Sequence, residues 1–390
     1  MPRPLYLLAL AIFAMGTSEF MLAGLIPDIA ADLDVTVGAT GLLTSAFAVG
    51  MVVGAPLTAA LARRWPSRRA LLGFLLLFGA VHVLGALTPS FGVLLATRVV
   101  AALANAGFLA VALRTAATLV APEQTGRALA VLLSGITVAT VAGVPGGALL
   151  GSMLGWRATF WAIAVLCLPA AVGIALGLKP HDGAPAVRQV SLRTEIAQLR
   201  RPGLVMAMLL GSLVNAATFA TFTFLAPIVT DVAGLGSLWV SVALMCFGVG
   251  SFSGVTVAGG FSDRRPGALI GFGTPLLLIG WIAVAMTSGS PVALIVLVFI
   301  QGMLSFAVGS TLITRVLYEA AGAPTMAGSY ATAALNVGAA AGPALAVVAL
   351  GIGGGPLSPV WVSAALVALV GVGLVSWWFS TLRGSSRQLS

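Results

Sequence analysis

Charged side chains are scarce in this sequence of 390 residues. Only 7% of the residues are Asp, Glu, Lys or Arg, whereas 59% are hydrophobic and the mean hydropathy is +1.11. Because soluble domains carry roughly 25% charged residues, this composition excludes a water-soluble globular protein. The 48 glycines and 20 prolines are spread through the apolar runs, as in membrane helices, where small residues let backbones approach closely. The composition predicts a polytopic membrane protein.

Residues that bind metals or form disulfides are also rare. The two cysteines, Cys167 and Cys246, lie in separate apolar segments, so we expect free thiols. The two histidines, His82 and His181, belong to no spaced Cys/His cluster, so we predict no metal site and no cofactor. The sequence has no phosphate-binding glycine-rich loop and no nucleophile–base constellation. These absences argue against an enzyme and against a transporter driven by ATP.

The net charge of +9 comes from short loops between hydrophobic runs. Because the basic residues share no amphipathic face, we predict no nucleic-acid partner. With the N-terminus inside, 17 of the 19 basic residues lie in inner loops or at inner helix ends, while Arg157 lies outside and Arg98 lies within a span. The positive-inside rule therefore predicts that both termini are cytoplasmic.

Twelve hydrophobic runs are long enough to cross a bilayer, which takes about 20 residues. The first run continues past signal-peptide length, so we expect it to be retained as a helix. The fold class is therefore an all-α polytopic membrane protein. The predicted spans are residues 5–27, 39–62, 70–88, 91–119, 126–154, 157–178, 203–230, 237–262, 267–287, 291–317, 324–352 and 357–380.

A long polar segment divides these spans into two sets of six. We predict an N-terminal six-helix half over 1–178, a cytoplasmic linker over 179–202 and a C-terminal six-helix half over 203–390. The two halves resemble each other at offsets of 199 to 201 residues, which indicates a duplicated unit. The matches pair residues 59–69 with 259–267, residues 139–147 with 338–343, and Arg114 with Arg315.

These features resemble the major facilitator superfamily. The resemblance implies two six-helix halves related by an axis along the membrane normal, with the substrate site near mid-membrane between them. The family's loop motif, G-x-x-x-D-R-x-G-R-R, forms a charge-relay latch on the cytoplasmic side. It is matched in the second half at Gly259, Asp263 and Arg264. In the first half Ala59 and Arg63 replace the Gly and Asp, and the motif is reduced to Arg64, Arg68 and Arg69.

Two further motifs resemble the drug:proton antiporter branch of that family. The antiporter motif g-x-x-x-G-P-x-x-G-G is approximated in span five, with one residue inserted before the proline. The resemblance implies that its glycines give close helix contact and that its proline bends the helix. Arg98 in span four resembles the R-x-x-x-G motif, with Ala102 where Gly is usual. The residues that match the antiporter motif are Ala139, Gly143, Pro145, Gly146 and Gly147.

Three short segments are similar to the chloramphenicol-exporting group of this branch. They are "GTSEFMLAG", "GVPGG" and "GWRATFW". Sugar-efflux relatives share much of the same pattern. The resemblance therefore favours a drug exporter without excluding a sugar exporter.

One acidic residue, Glu19, lies deep in the first span. A charge at the centre of a bilayer costs about 2.5–3.5 kcal/mol on insertion scales, so such residues are usually functional. From the helical rise, Glu19 lies roughly 12 Å and Arg98 roughly 10 Å below the outer ends of their spans. Burial favours the protonated carboxyl and a nearby Arg98 favours the ionised one. We predict that this pair couples transport to protons; the alternative is a static ion pair that fixes helix packing.

Polar and aromatic residues elsewhere in the spans are candidates for the substrate site. A cavity with apolar and aromatic walls and few polar groups suits an amphipathic drug. For each amide the alternative is an interhelical hydrogen bond, and we interpret His82 as structural because it has no evident acidic partner. The candidates are Asn105, on the same helical face as Arg98, and Asn215, Thr218, Phe219, Phe222, Gln301 and Asn336.

Together these observations predict a proton-coupled exporter of chloramphenicol or similar small amphipathic antibiotics. We expect it to work by alternating access as a monomer in the bacterial inner membrane, with a drug, protons and the lipid bilayer as its partners. Two alternatives remain open. A proton-coupled exporter of a sugar or metabolite would use the same fold, and a non-transporting membrane receptor would use it without carrying a solute.

Overall fold

The structure is a computed structural model that describes residues 2–62, 65–121, 124–178, 195–261, 266–323 and 326–386. Within these ranges the chain consists of helices and their connections, without a β-strand. Twelve of the helices are long and apolar enough to cross a membrane. The prediction of an all-α polytopic membrane protein with twelve spanning helices is confirmed, whereas the cytoplasmic location of both termini stays a prediction.

The first six spanning helices are named α1 to α6. Their bounds are α1, Arg3–Phe20, continued by a 3-10 turn over Met21–Gly24; α2, Val37–Ala62; α3, Ser67–Leu87; α4, Phe91–Thr118; α5, Thr125–Val138 and Val144–Leu154, joined by a π-helical turn over Ala139–Gly143; and α6, Trp156–Gly177.

The last six spanning helices are named α7 to α12. Their bounds are α7, Pro202–Thr223; α8, Leu238–Phe261; α9, Pro266–Thr287; α10, Pro291–Glu319; α11, Ala327–Gly351; and α12, Ser358–Ser386.

Spans one, five and seven are interrupted helices. The regular α-helix of α1 ends at Phe20, α7 ends at Thr223, and α5 is interrupted by its π-helical turn. A short helix over Ile26–Asp32 follows α1. After α7 the chain forms a helical turn over Leu225–Pro227 and a π-helical turn over Ile228–Val232.

A proline follows each of these interruptions. Proline has no N–H, and its ring clashes with the carbonyl group four residues earlier. Pro27 and Pro227 place that clash at Ala23 and Thr223, and Pro145 places it inside the π-helical turn of α5. Prolines inside α6, α9 and α11 leave those helices unbroken, as neighbouring helices allow in a membrane. Pro27 and Pro227 lie 200 residues apart, so these two breaks recur with the spacing of the sequence repeat.

By their contacts the residues form two compact units. One comprises Met1–Gln189 with Thr223–Gly248, and the other comprises Val190–Phe222 with Val249–Ser390. In the first unit a continuous buried apolar cluster draws on α1 to α6. In the second unit a smaller cluster joins α7, α10 and α11.

The predicted halves over 1–178 and 203–390 stay a prediction. Of the predicted linker, residues 179–194 lie outside the described residues. Its described end is packed within the second unit, since Glu195 is buried and its backbone carbonyl accepts a hydrogen bond from the Tyr330 hydroxyl at 2.8 Å.

The close approach of α1 to α5 depends on a glycine. A Cβ at Gly143 would overlap the Thr17 hydroxyl and lie 3.0 Å from the Phe13 ring. A Cβ at Gly147 would lie 3.2 Å from a side chain of α6, whereas a Cβ at the exposed Gly146 would meet open space. Gly143 and Gly147 therefore make the close contacts that the antiporter motif implies, and Gly146 does not.

A hydrogen-bonded cluster joins the connection after α1 to the ends of α3 and α6. The Asp32 carboxylate accepts hydrogen bonds from Arg157 Nη1 and, at 3.2 Å, from Trp156 Nε1. Arg157 Nη2 donates to the carbonyl oxygen of Thr88 at 3.2 Å, and the guanidinium stacks 4.3 Å from the centre of the Trp156 ring. The hydrogen bond from Arg157 lowers the pKa of Asp32 below its ordinary value.

Gly143→Ala is expected to lower the free energy of unfolding by about 1–3 kcal/mol, because an added methyl group forces closely packed neighbours apart. Gly146→Ala is the matched control, since it makes the same change in α5 where space is open. Unfolding of both purified variants in one detergent measures the difference. If Gly143→Ala were as stable as Gly146→Ala, the close packing of α1 on α5 would be wrong.

Asp32→Asn is expected to lower the thermal unfolding midpoint at neutral pH. Because the folded-state pKa of Asp32 is depressed, its stabilisation is present above the unfolded-state pKa of about 3.9 and is lost as the pH falls through the folded-state value. The difference between the wild type and the variant should therefore shrink below about pH 4.

The control for this prediction is Asp34→Asn. Asp34 is exposed and has a φ of 52°, a conformation that Asn also adopts readily. We expect its midpoint at neutral pH to stay close to that of the wild type. A difference between the wild type and Asp32→Asn that stayed constant down to the lowest pH would show that the Asp32 charge does not cause it.

Candidate proton-coupling site

A buried arginine connects α4 to α1. Arg98 is 1% exposed. Its Nη1 donates to the Ser18 hydroxyl oxygen at 2.9 Å, and its Nη2 donates to the Ser18 backbone oxygen at 2.7 Å. The guanidinium also lies 4.6 Å from the centre of the Phe47 ring of α2. A buried charge is costly unless it is hydrogen-bonded or paired, and here the partner is a serine of α1.

The Ser18 hydroxyl extends this contact to α3. Its oxygen lies 2.6 Å from His82 Nε2, and His82 Nδ1 lies 2.7 Å from the carbonyl oxygen of Phe78. Because a carbonyl only accepts, Nδ1 carries the proton and Nε2 accepts from the serine hydroxyl. His82 is thus part of the arginine network, and its interpretation as structural stays a prediction. The sequence analysis missed Ser18, since no local pattern links residues 64 and 80 positions apart.

Glu19 follows Ser18 directly and is half-buried. The described structure holds no ion-pair contact between Glu19 and Arg98, although the two charges interact electrostatically. Asn105 Nδ2 lies 3.5 Å from Glu19 Oε2 and 3.7 Å from the Met51 sulfur. The structure therefore brings three predicted site residues of the first unit together: Glu19, Arg98 and Asn105. Their roles in proton coupling and substrate binding stay predictions.

Two predicted substrate contacts are amides that hydrogen-bond across helices. Asn215 of α7 donates to the backbone oxygen of Leu335 in α11 at 2.7 Å. Gln301 of α10 donates to the backbone oxygen of Leu277 in α9 at 3.1 Å. These bonds are the alternative that the sequence left open for each amide, and they hold neighbouring helices of the second unit together.

The other candidates of the second unit have local partners. Thr218 and Asn336 each donate to the carbonyl oxygen four residues earlier, both at 2.9 Å. The rings of Phe219 and Phe222 pack edge to face with their centres 5.9 Å apart. Binding of substrate by these four residues stays a prediction.

The structure describes some of the residues of the antiporter motif and of the cytoplasmic loop motif. Pro145 is the second residue of the second segment of α5, which begins directly after the π-helical turn. Arg68 and Arg69 lie in the first turn of α3, and Gly259 lies in α8. The remaining loop-motif residues lie outside the described part of the chain; they are Arg64, Asp263 and Arg264. The predicted charge relay in this loop therefore stays a prediction.

Comparison with known proteins gives consistent results for sequence and fold. A family model described as the Major Facilitator Superfamily matches residues 8–332. A protein of Streptomyces lividans named "Chloramphenicol resistance protein" is 69% identical over 370 residues, which cover 95% of this chain and 94% of that protein. The "Inner membrane transport protein YdhP" of Escherichia coli (strain K12) is 34% identical over 353 residues, which cover 90% of each chain.

Solved structures show the same fold. A bacterial homolog of the human lysosomal transporter Spinster, in its inward-facing and occupied conformation, matches with a TM-score of 0.75 at 17% identity and covers 96% of both chains. Its inward-facing and unoccupied conformation matches with a TM-score of 0.73. The predictions of a multi-pass protein of the bacterial inner membrane and of a non-enzymatic function are confirmed by these relationships. The chain belongs to the major facilitator superfamily.

Proposed function

We propose that the protein exports chloramphenicol, or a similar small amphipathic antibiotic, in exchange for protons. The observation that supports the proposed substrate is the 69% identity to the chloramphenicol resistance protein of Streptomyces lividans, which extends over 95% of this chain. The aligned region of 370 residues extends over nearly the whole chain, whereas the fold alone is shared by carriers of unrelated solutes.

Glu19 supports the proton-coupled part of the proposal. Its carboxyl is half-buried inside α1 and lies beside a fixed cation and a neutral amide. Water or drug that reaches the carboxyl changes its desolvation, and desolvation is one of the terms that set proton affinity. A group whose proton affinity depends on conformation couples a proton gradient to a conformational change.

The proposed cycle follows from this dependence. The drug enters the inward-open state while Glu19 is ionised, and the protein then opens outward and releases it. Protonation of Glu19 from outside favours the return, and the proton leaves to the cytoplasm. Such an exchange draws about 2.3 kcal/mol per charge moved across each 100 mV of membrane potential, in addition to the pH gradient.

The proposed exporter acts as a monomer with both termini in the cytoplasm. Twelve spans in one chain supply both six-helix halves of the superfamily fold, over 1–178 and 203–390, so a single copy suffices for alternating access. The 17 basic residues at inner loops and helix ends support the orientation.

Glu19→Gln is expected to abolish drug-driven proton movement, because the amide cannot exchange a proton in the physiological range. The assay adds chloramphenicol to energised inside-out vesicles and records proton release from the lumen. Glu319→Gln is the matched control, since Glu319 pairs with Arg315 at the end of α10, outside the proposed site.

The outcomes separate the two parts of the proposal. Proton release with the wild type and the control, but not with Glu19→Gln, supports both the drug and the coupling residue. Full exchange by Glu19→Gln would refute the role of this carboxyl. An active, folded protein that responds to other solutes and not to chloramphenicol would refute the proposed substrate alone.

Asn215→Ala is expected to reduce stability by about 1 kcal/mol, the size of an interhelical hydrogen bond in a membrane. Because its amide is already bonded to the Leu335 carbonyl, we expect little change in the KM for drug export. Unfolding in detergent and transport at graded drug concentrations measure the two effects. An increase in KM without a loss of stability would instead assign Asn215 to the substrate site.

A further inference from the structure

A chain of hydrogen bonds leads from Arg98 through Ser18 and His82 to the Phe78 carbonyl, and each bond is donated in the same direction. We call the side chains of Arg98, Ser18 and His82 the relay. A guanidinium only donates, so the Ser18 oxygen accepts from Arg98 and its own proton is free to donate. That proton goes to His82 Nε2, which is an acceptor because Nδ1–H is bound to the Phe78 carbonyl. Each member therefore fixes the donor or acceptor role of the next.

All three side chains of this relay are shielded from solvent. Ser18 is 0% exposed, and His82 and Arg98 are each 1% exposed. Removal of one hydrogen-bonding group leaves its neighbour unsatisfied with no bulk water to replace it, which is costly in a protein interior. The relay thus determines where the guanidinium points.

We propose that Ser18 and His82 are positioning residues that hold Arg98 on the α1 backbone and keep it from pairing directly with Glu19. The inference rests on the proposed proton-coupling role of Glu19. Arg98 has donor capacity to spare, since its buried Nε has no hydrogen-bond partner among the described residues. Without the Ser18 hydroxyl, Nη1 also loses its acceptor. Glu19 is the acidic residue whose charge acts on Arg98.

A direct ion pair would impair proton exchange. A cation in contact with a carboxylate strongly favours the ionised form, so Glu19 would remain ionised over the range in which transport operates. At its present position Arg98 acts on Glu19 through space, and among the described residues the hydrogen-bond donor to Glu19 is Asn105, at a long distance of 3.5 Å. The relay therefore keeps the carboxyl able to take up a proton.

The helices around α1 carry other titratable groups. They are His82 on α3, Arg98 and Arg114 on α4, and Arg157 and Cys167 on α6. Among the described side chains, the charge that acts on Glu19 is that of Arg98. A change in the titration of Glu19 after a relay substitution is therefore best explained by a movement of Arg98.

The test measures the titration of Glu19 directly and needs no drug. Full-length protein in lipid nanodiscs is titrated with acid, and the protonated carboxyl band of Glu19 is isolated as the infrared difference between the wild type and Glu19→Gln. Ser18→Ala and His82→Leu break the relay. Ser18→Thr keeps the hydroxyl and His82→Gln keeps an acceptor near the position of Nε2.

We expect Ser18→Ala and His82→Leu to shift the titration midpoint downward by about one pH unit, the usual effect of a close opposite charge. Ser18→Thr and His82→Gln should stay near the wild-type midpoint. Arg98→Gln should shift it upward, because the cation is gone. A merely structural role for the relay would lower the yield of folded protein without moving the midpoint.

An unchanged or raised midpoint in Ser18→Ala would overturn the inference and leave the proposed function intact. If Ser18→Ala does not fold, an unchanged midpoint in His82→Leu does the same. A pH-dependent carboxyl band that persists in Glu19→Gln would instead refute the role of Glu19 in the proposed function. The two failures are therefore distinguishable.

Discussion

The cost of burying a guanidinium in a membrane helix bundle is the constraint on which the rest of the first unit depends. A bilayer interior offers no water, so polar groups must be satisfied inside the protein. Arg98 meets this requirement with two hydrogen bonds to one residue of α1. Ser18 lies in the last turn of α1, where carbonyl groups lose their regular partners and a cation is favoured by the helix dipole. The arginine is thus stabilised where a helix ends.

The end of that helix is itself set by sequence. Pro27 disfavours continuation of α1, and the regular α-helix stops at Phe20, directly after Glu19. The same constraint operates in α5, where the π-helical turn before Pro145 carries Gly143 against Thr17 of α1. Proline and glycine therefore act together: one breaks the hydrogen-bond ladder and the other lets the broken segment pack closely. Both effects occur within two residues of the half-buried Glu19 carboxyl.

The spanning helices could be predicted from the sequence because hydropathy is a property of each segment by itself. The depth of Glu19 and Arg98 could also be estimated, since the helical rise is fixed. The breaks after α1 and α7 were not predicted because a proline ends some membrane helices and not others, as α6, α9 and α11 show. Ser18 and His82 were missed as partners of Arg98 because their contact is set by helix packing, which leaves no local pattern.

The amides of the second unit also show that contacts between helices cannot be predicted from the sequence. Asn215 and Gln301 were identified as buried polar groups, but their acceptors are backbone carbonyls of α11 and α9. Every residue offers such a carbonyl, so the sequence carries no signal for which one is used. The side-chain chemistry of a site residue is therefore predictable, whereas its partner requires the fold.

The arrangement of the buried Arg98 and the half-buried Glu19 restricts how the proposed coupling works. Arg98 is bound to Ser18, the residue directly before Glu19, so a rigid movement of α1 carries the carboxyl and its nearby cation together. The attraction between them then changes little between states that keep this contact. What varies is the access of water and drug to the half-buried Glu19, and with it the desolvation of the carboxyl. In this chain the proposed coupling therefore rests on the hydration of the Glu19 carboxyl. The fixed charge of Arg98 sets the pH range over which a change in that hydration changes the protonation of Glu19.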